Sequence, residues 1–194
     1  MVSSSQLDTS FIQFRNTCVL GSYAIASNYY TGIPIINFFE DYYSHYGSFK
    51  FNHIQYYSEW SNLTKLQKLE VAYDDHFHNE YRQKNVPGLK LIEDLHNSSE
   101  TESYKTAKQF FDVEYFTVEN LNLKNLVHNL ENEESLLILA CDGESGGRHI
   151  SVFGFDTNGL YFVETRPQKE LRINYIEGID SLPGPGDALL TIKR

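Results

Sequence analysis

Three residues far apart in this chain are of types that could do covalent chemistry together. Cys18 stands near the start of an apolar, small-residue stretch, and His149 and Glu164 stand in GGRHISVFGFDTNGLYFVETRP, residues 146 to 167. A thiolate is a strong nucleophile, an imidazole can take and return its proton, and a carboxylate beside the imidazole fixes its tautomer and stabilises the imidazolium. A thiol at a helix N-terminus faces unpaired amide N–H groups and the positive end of the helix dipole, which lower its pKa. Taken alone, Cys18 reads as a small buried residue on a helix face; the His149–Glu164 pair reverses that preference. The other cysteine, Cys141, ends the run Leu-Leu-Ile-Leu-Ala and reads as packing.

The hairpin must supply the geometry. His149 to Phe155 and Leu160 to Thr165 are runs of β-branched and aromatic residues, separated by the turn signal Asp156-Thr157-Asn158-Gly159. If those four residues form the loop, Phe155 faces Leu160 and His149 faces Arg166. Glu164 then shares the face of His149, one diagonal step away, and Thr165 takes the other face. A two-residue Asn-Gly turn keeps that parity and leaves the pair further apart. Arg148 and Arg166 flank the hairpin and could hold a substrate carboxylate or phosphate, although surface charge explains them as well.

The rest of the chain reads as helices followed by strands. Apolar periodicity predicts helices at Cys18–Tyr30, Ile35–Tyr46, Leu63–Tyr81, Leu89–Leu95, Tyr104–Phe111 and Leu121–Leu130. Strands are expected at Val113–Val118, Leu136–Cys141, His149–Phe155, Leu160–Glu164, Glu170–Tyr175 and Ala188–Ile192. Asn97 to Ser103 reads as a polar loop. The layout is α+β: a polar tail over residues 1–10, then a single domain over 11–194, helical to about residue 130 and β beyond it.

Composition narrows the partners. The chain has 194 residues, 41% hydrophobic and 22% charged, as a folded domain requires, and a net charge of −10 argues against nucleic acid or an anionic membrane surface. The first residues show no basic start before an apolar core, no run reaches transmembrane length, and two cysteines are too few for a disulfide scaffold. The expected setting is therefore cytoplasmic. Asp74-Asp75-His76-Phe77-His78 invites a metal, but histidines two apart do not share a helix face, so the stretch reads as a solvated face and no metal or cofactor is implied.

The order helix-cysteine, strand-histidine, next-strand acid resembles the papain-like cysteine enzymes. Leu126-Val-His-Asn-Leu130, Leu136-Leu-Ile-Leu-Ala140, Gly146-Gly-Arg-His-Ile-Ser-Val-Phe-Gly-Phe-Asp156 and Gly159-Leu-Tyr-Phe-Val-Glu164 look like the second half of the bacteriocin-leader peptidases. Those carry Asp where this chain has Glu164. The family's oxyanion hole uses a Gln, commonly six residues before the cysteine; here Gln13 stands five before it, with the Cys18 backbone N–H as the second donor. A narrower resemblance runs from Asn16 to Ile35 and from Phe38 to Phe51. It is to the N-terminal domain of butirosin-biosynthesis H-type proteins, which move an acyl group from a carrier-protein thioester to an amine. Residues 58–112 match neither family. The resemblance implies a papain-like fold, a Cys18–His149–Glu164 triad, an acyl-thioester intermediate, and a peptide or carrier-bound acyl substrate. The amine acceptor is the preferred expectation. A leader-peptidase-like hydrolase and a non-catalytic binding module of the same fold are the alternatives.

Overall fold

The structure is a computed structural model that describes residues 7, 18–46, 88–98, 100–117, 123–132, 134–142, 148–164, 171–177 and 186–194. The helix expected at Leu63–Tyr81 and the rest of residues 47–87 lie outside the described residues. In chain order the elements are α1 (Cys18–Thr31), α2 (Ile35–Tyr46), α3 (Gly88–Asn97), α4 (Glu102–Phe110), β1 (Phe111–Phe116), α5 (Leu123–Asn132), β2 (Ser135–Asp142), β3 (Arg148–Asp156), β4 (Gly159–Glu164), β5 (Arg172–Tyr175) and β6 (Ala188–Lys193). The fold is α+β. Among the described residues, no helix is long and apolar enough to cross a membrane.

The six strands form one sheet in the order β1-β6-β2-β3-β4-β5, and every pair is antiparallel. The last strand thus lies between the first two. The sheet separates two cores. On one side, Leu136, Ile138, Ala140, Ile150, Val152, Tyr161, Val163 and Leu189 pack with α1 to α4. On the other side, Leu137, Leu139, Phe153, Leu160, Ala188 and Leu190 pack with Leu126, Val127 and Leu130 of α5. Consecutive residues along β2 alternate between the cores, as the two-residue period of a strand demands.

α1 departs from the one-sided helix that its pattern predicts. Every residue from Val19 to Ser27 is buried. The side chains are small or apolar around most of the helix, and a helix of that kind belongs inside. Gly32, at a φ of +72°, closes it, with its N–H donating to Asn28 O at 2.8 Å. α4 begins at Glu102 rather than Tyr104 because Thr101 caps it, accepting from Tyr104 N, while Asp41 of α2 accepts from Ser103 N at 2.7 Å. Phe111 leaves the helix and opens β1, paired with Lys193.

The β3–β4 loop is only two residues long, since Asp156 pairs with Gly159. Asp156 holds it: one carboxylate oxygen accepts from Asn158 N at 2.8 Å and the other from Tyr175 Oη at 2.8 Å. Gly159 takes a φ of +118°, a region L side chains rarely adopt. Further along the ladder Gly154 lies opposite Tyr161, and a Cβ at 154 would sit 2.4 Å from the Tyr161 hydroxyl oxygen. The missing side chain makes room for the buried phenol.

Candidate functional site

Cys18 is the first residue of α1 and is partly buried against the α1-side core. It is a free thiol. Two opposed effects act on it. Burial pushes its pKa up; the backbone amides of Val19 and Cys18, the helix-start donors, pull it down, and burial is the larger. The lowering expected from a helix start is thus present and outweighed. Desolvation by the surrounding core is a property of packing, which the local sequence does not display.

Three elements begin close together around this residue. A Cβ placed on Gly88, the first residue of α3, would lie 3.0 Å from Val19 Cγ2 and 3.9 Å from Ile150 Cδ1. Val19 follows Cys18 and Ile150 follows His149. The start of α1, the start of α3 and the start of β3 therefore converge on one point, and only glycine at 88 fits there without displacement. Nothing in the sequence marked Gly88 except its place after Pro87.

The hairpin register can be compared with the parity argument. Phe155 pairs with Leu160 and Val152 with Val163, so one further step puts Glu164 opposite Ser151, diagonal to His149. On the other edges, His149 pairs with Cys141 and Glu164 with Arg172. The side chains of Cys141, Arg148, His149 and Glu164 lie outside the described residues, as do Gln13, Thr165, Arg166 and the stretch from Asp74 to His78.

Alternation sets a condition on the triad. In β3, Ile150 and Val152 belong to the α1-side core and Phe153 to the α5 side; in β4, Tyr161 and Val163 belong to the α1 side and Leu160 and Phe162 to the other. Positions 149 and 164 fall in the α5-side series by parity. The β2–β3 ladder is unbroken from Leu137↔Phe153 to Asp142↔Arg148. At the N-terminal end of β3, Ile150 and Val19 both approach Gly88.

Sequence reasoning missed a polar pair. His96, which has no partner near it in sequence, has its Nδ1 2.5 Å from Tyr23 Oη, and both residues are buried. The available signal was periodicity: His96 follows Leu89 and Ile92 on the buried side of α3. No protein-family model matches the chain, and searches of curated proteins and of solved structures find no match either.

Proposed function

We propose that this protein is a papain-like cysteine acyltransferase that moves an acyl group from a thioester donor to an amine. The observation that carries the reading is the meeting of α1, α3 and β3 at Gly88, which brings the neighbours of Cys18 and His149 to one point. In the proposed reaction His149 removes the Cys18 proton and the thiolate attacks the thioester carbonyl. The tetrahedral intermediate expels the donor thiolate, which takes the proton from His149, leaving an acyl-Cys18 thioester. The amine then attacks that carbonyl while His149 accepts its proton; Cys18 leaves as thiolate. Glu164 orients the imidazole, and the Cys18 backbone N–H, with Gln13, holds the oxyanion. A raised thiol pKa fits a nucleophile deprotonated as it attacks rather than one resting as thiolate.

The burial of Cys18 and the parity of positions 149 and 164 favour a second reading, a binding module of the same fold. One experiment separates the readings. The protein is offered an activated acyl thioester and followed by intact-protein mass spectrometry. Acyl transfer predicts an adduct on Cys18 that a primary amine discharges faster than water. Cys18→Ala should give no adduct, Cys18→Ser should form one far more slowly, since a hydroxyl is a much poorer nucleophile than a thiolate, and Cys141→Ala should behave as the parent. Discharge at the same rate with and without amine makes the protein a hydrolase of the leader-peptidase kind. No adduct with thioesters or peptides, or an adduct on Cys141, overturns the enzyme and leaves the binding module.

A further inference from the structure

α3 lies along the first turns of α1 and meets it twice. At its start Gly88 packs on Val19. Near its end the imidazole of His96 meets the phenol of Tyr23, with Nδ1 and Oη 2.5 Å apart. Tyr23 is 0% and His96 2% exposed. Aromatic rings enclose the pair: Tyr104 stacks on Tyr23 at 5.0 Å between centroids, Phe38 lies 5.3 Å from Tyr23, and Phe111 lies 5.1 Å from His96. Among the described residues His96 Nε2 is buried without a well-formed hydrogen bond, the Phe111 backbone acting on the ring only weakly. A neutral imidazole has one N–H and a protonated one has two. In the protonated ring both nitrogens are donors, so Nε2–H would be a buried donor without a well-formed partner and Tyr23 could only accept, with the charge itself buried; each is costly.

The groups that face His96 do not relieve that cost. From β1 the Asp112 carboxylate favours the proton, but Arg194 engages it through hydrogen bonds of 2.8 and 2.5 Å. From α4 Lys108 opposes the proton, and its Nζ donates to Asn97 O, next to His96, at 2.6 Å. Arg194 at the C-terminus opposes it as well, and the Phe111 backbone favours it weakly. From α1 comes the Tyr23 phenol, which burial keeps neutral by pushing its pKa well up. Burial is the largest influence, and it holds His96 down at about 4 from an ordinary 6.5.

We propose that His96 and Tyr23 form an acid-released latch: neutral His96 holds α3 against α1, the helix that begins at Cys18, and protonated His96 lets α3 come away. The sign follows from linkage. The folded-state pKa is depressed below the free value, so the open or unfolded chain takes the proton first as pH falls. The latch is at full strength above about 6.5 and weakens as pH falls toward about 4. The latch does not depend on the acyl-transfer reading, because it concerns helix packing and not the thiol's chemistry.

Three measurements on the full chain test it. The His96 imidazole resonance, identified by its loss in His96→Gln, should stay at its neutral position from pH 7.5 down to 5. Amide exchange in α3, corrected for intrinsic rates, should lose protection by about 15-fold between pH 6.5 and 5, while β2 keeps its own. Over the same range the parent should lose about 3–6 °C of Tm more than His96→Gln, whose amide can bond to Tyr23 but cannot titrate. A His96 resonance titrating near 6.5, parallel Tm profiles, or protection lost equally in β2 would overturn the latch. If His96→Gln does not fold, the exchange pattern of the parent and of Tyr23→Phe decides.

Discussion

On the α1 side of the sheet, buried hydroxyls and an imidazole are threaded through the core. Tyr23 meets His96, Tyr30 Oη donates to Glu134 O at 2.9 Å and lies 2.9 Å from Thr191 Oγ1, and Ser22 Oγ donates to Cys18 O at 2.7 Å. On the α5 side the described core is Leu, Val, Ala and Phe, with one buried hydroxyl, Ser135, in the β2 series of Leu137 and Leu139. On this drier side one helix, α5, packs on the sheet. The polar side is the more constrained, because each buried hydrogen bond on it narrows the acceptable packing arrangements. Cys18 and the start of α3 lie on that more constrained side. The contrast teaches where substitutions should act through stability and where they should act through geometry.

The largest stability effect is expected on the dry side. Leu137 is fully buried on β2 and faces α5. Leu137→Ala removes apolar area and leaves a cavity among neighbours that are held by the sheet, at a cost of about 2–5 kcal/mol. Urea unfolding measures it. Because Cys18 packs against the α1-side core, the labelling of Cys18 per folded molecule should not change. A changed labelling rate at native conditions would break the separation of the two sides.

A smaller cost is expected from adding an atom on the polar side. Gly154→Ala drives a methyl group to 2.4 Å from the Tyr161 hydroxyl oxygen and 3.0 Å from Leu136 Cδ2. Tyr161 is fully buried, so it can yield only by moving the core around it. The expected loss is about 1–3 kcal/mol, the usual range for overpacking, again read from urea unfolding. A neutral Gly154→Ala would mean that the polar side is more adaptable than its hydrogen bonds imply.

Much of the architecture was legible from local pattern. α2 spans the residues expected of it, and the Asp156–Gly159 turn joins the strands it was expected to join, with Phe155 opposite Leu160. These features depend on periodicity and turn chemistry over a few residues. What escaped depends on distant partners. Phe111 continues the helical spacing of Tyr104 and Ala107, but pairing with Lys193 makes it a strand residue. β6 enters between β1 and β2, a placement no local signal announces. α1 is enclosed on all sides only because the sheet and three helices assemble around it. For the same reason the sign of the Cys18 shift could not be read from a helix-start position. His96 finds Tyr23 across 73 residues of sequence. The candidate triad was legible as an order of residues and a hairpin parity; the face of the sheet to which that parity belongs emerged only with the two cores.

The smallest effect concerns the start of α4, where a local and a distant cap act together. Thr101 accepts from Tyr104 N at 3.3 Å, a long bond, whereas Asp41 of α2 accepts from Ser103 N at 2.7 Å. A carboxylate at a helix N-terminus also gains from the dipole, and a charged acceptor makes the stronger hydrogen bond. Thr101→Ala should therefore cost about 0.5–1 kcal/mol, the low end for loss of a cap, because Asp41 stays in place. Asp41→Ala should cost more than Thr101→Ala, since it also releases α2 from α4. The double variant should lose more than the sum of the two, as the helix start then has no acceptor left to fall back on. Urea midpoints of the parent, the two single variants and the double variant complete the cycle. Strict additivity would mean the two caps act independently. A larger loss for Thr101→Ala than for Asp41→Ala would show that the local cap governs this end of the polar side and that the contact between α2 and α4 follows from it.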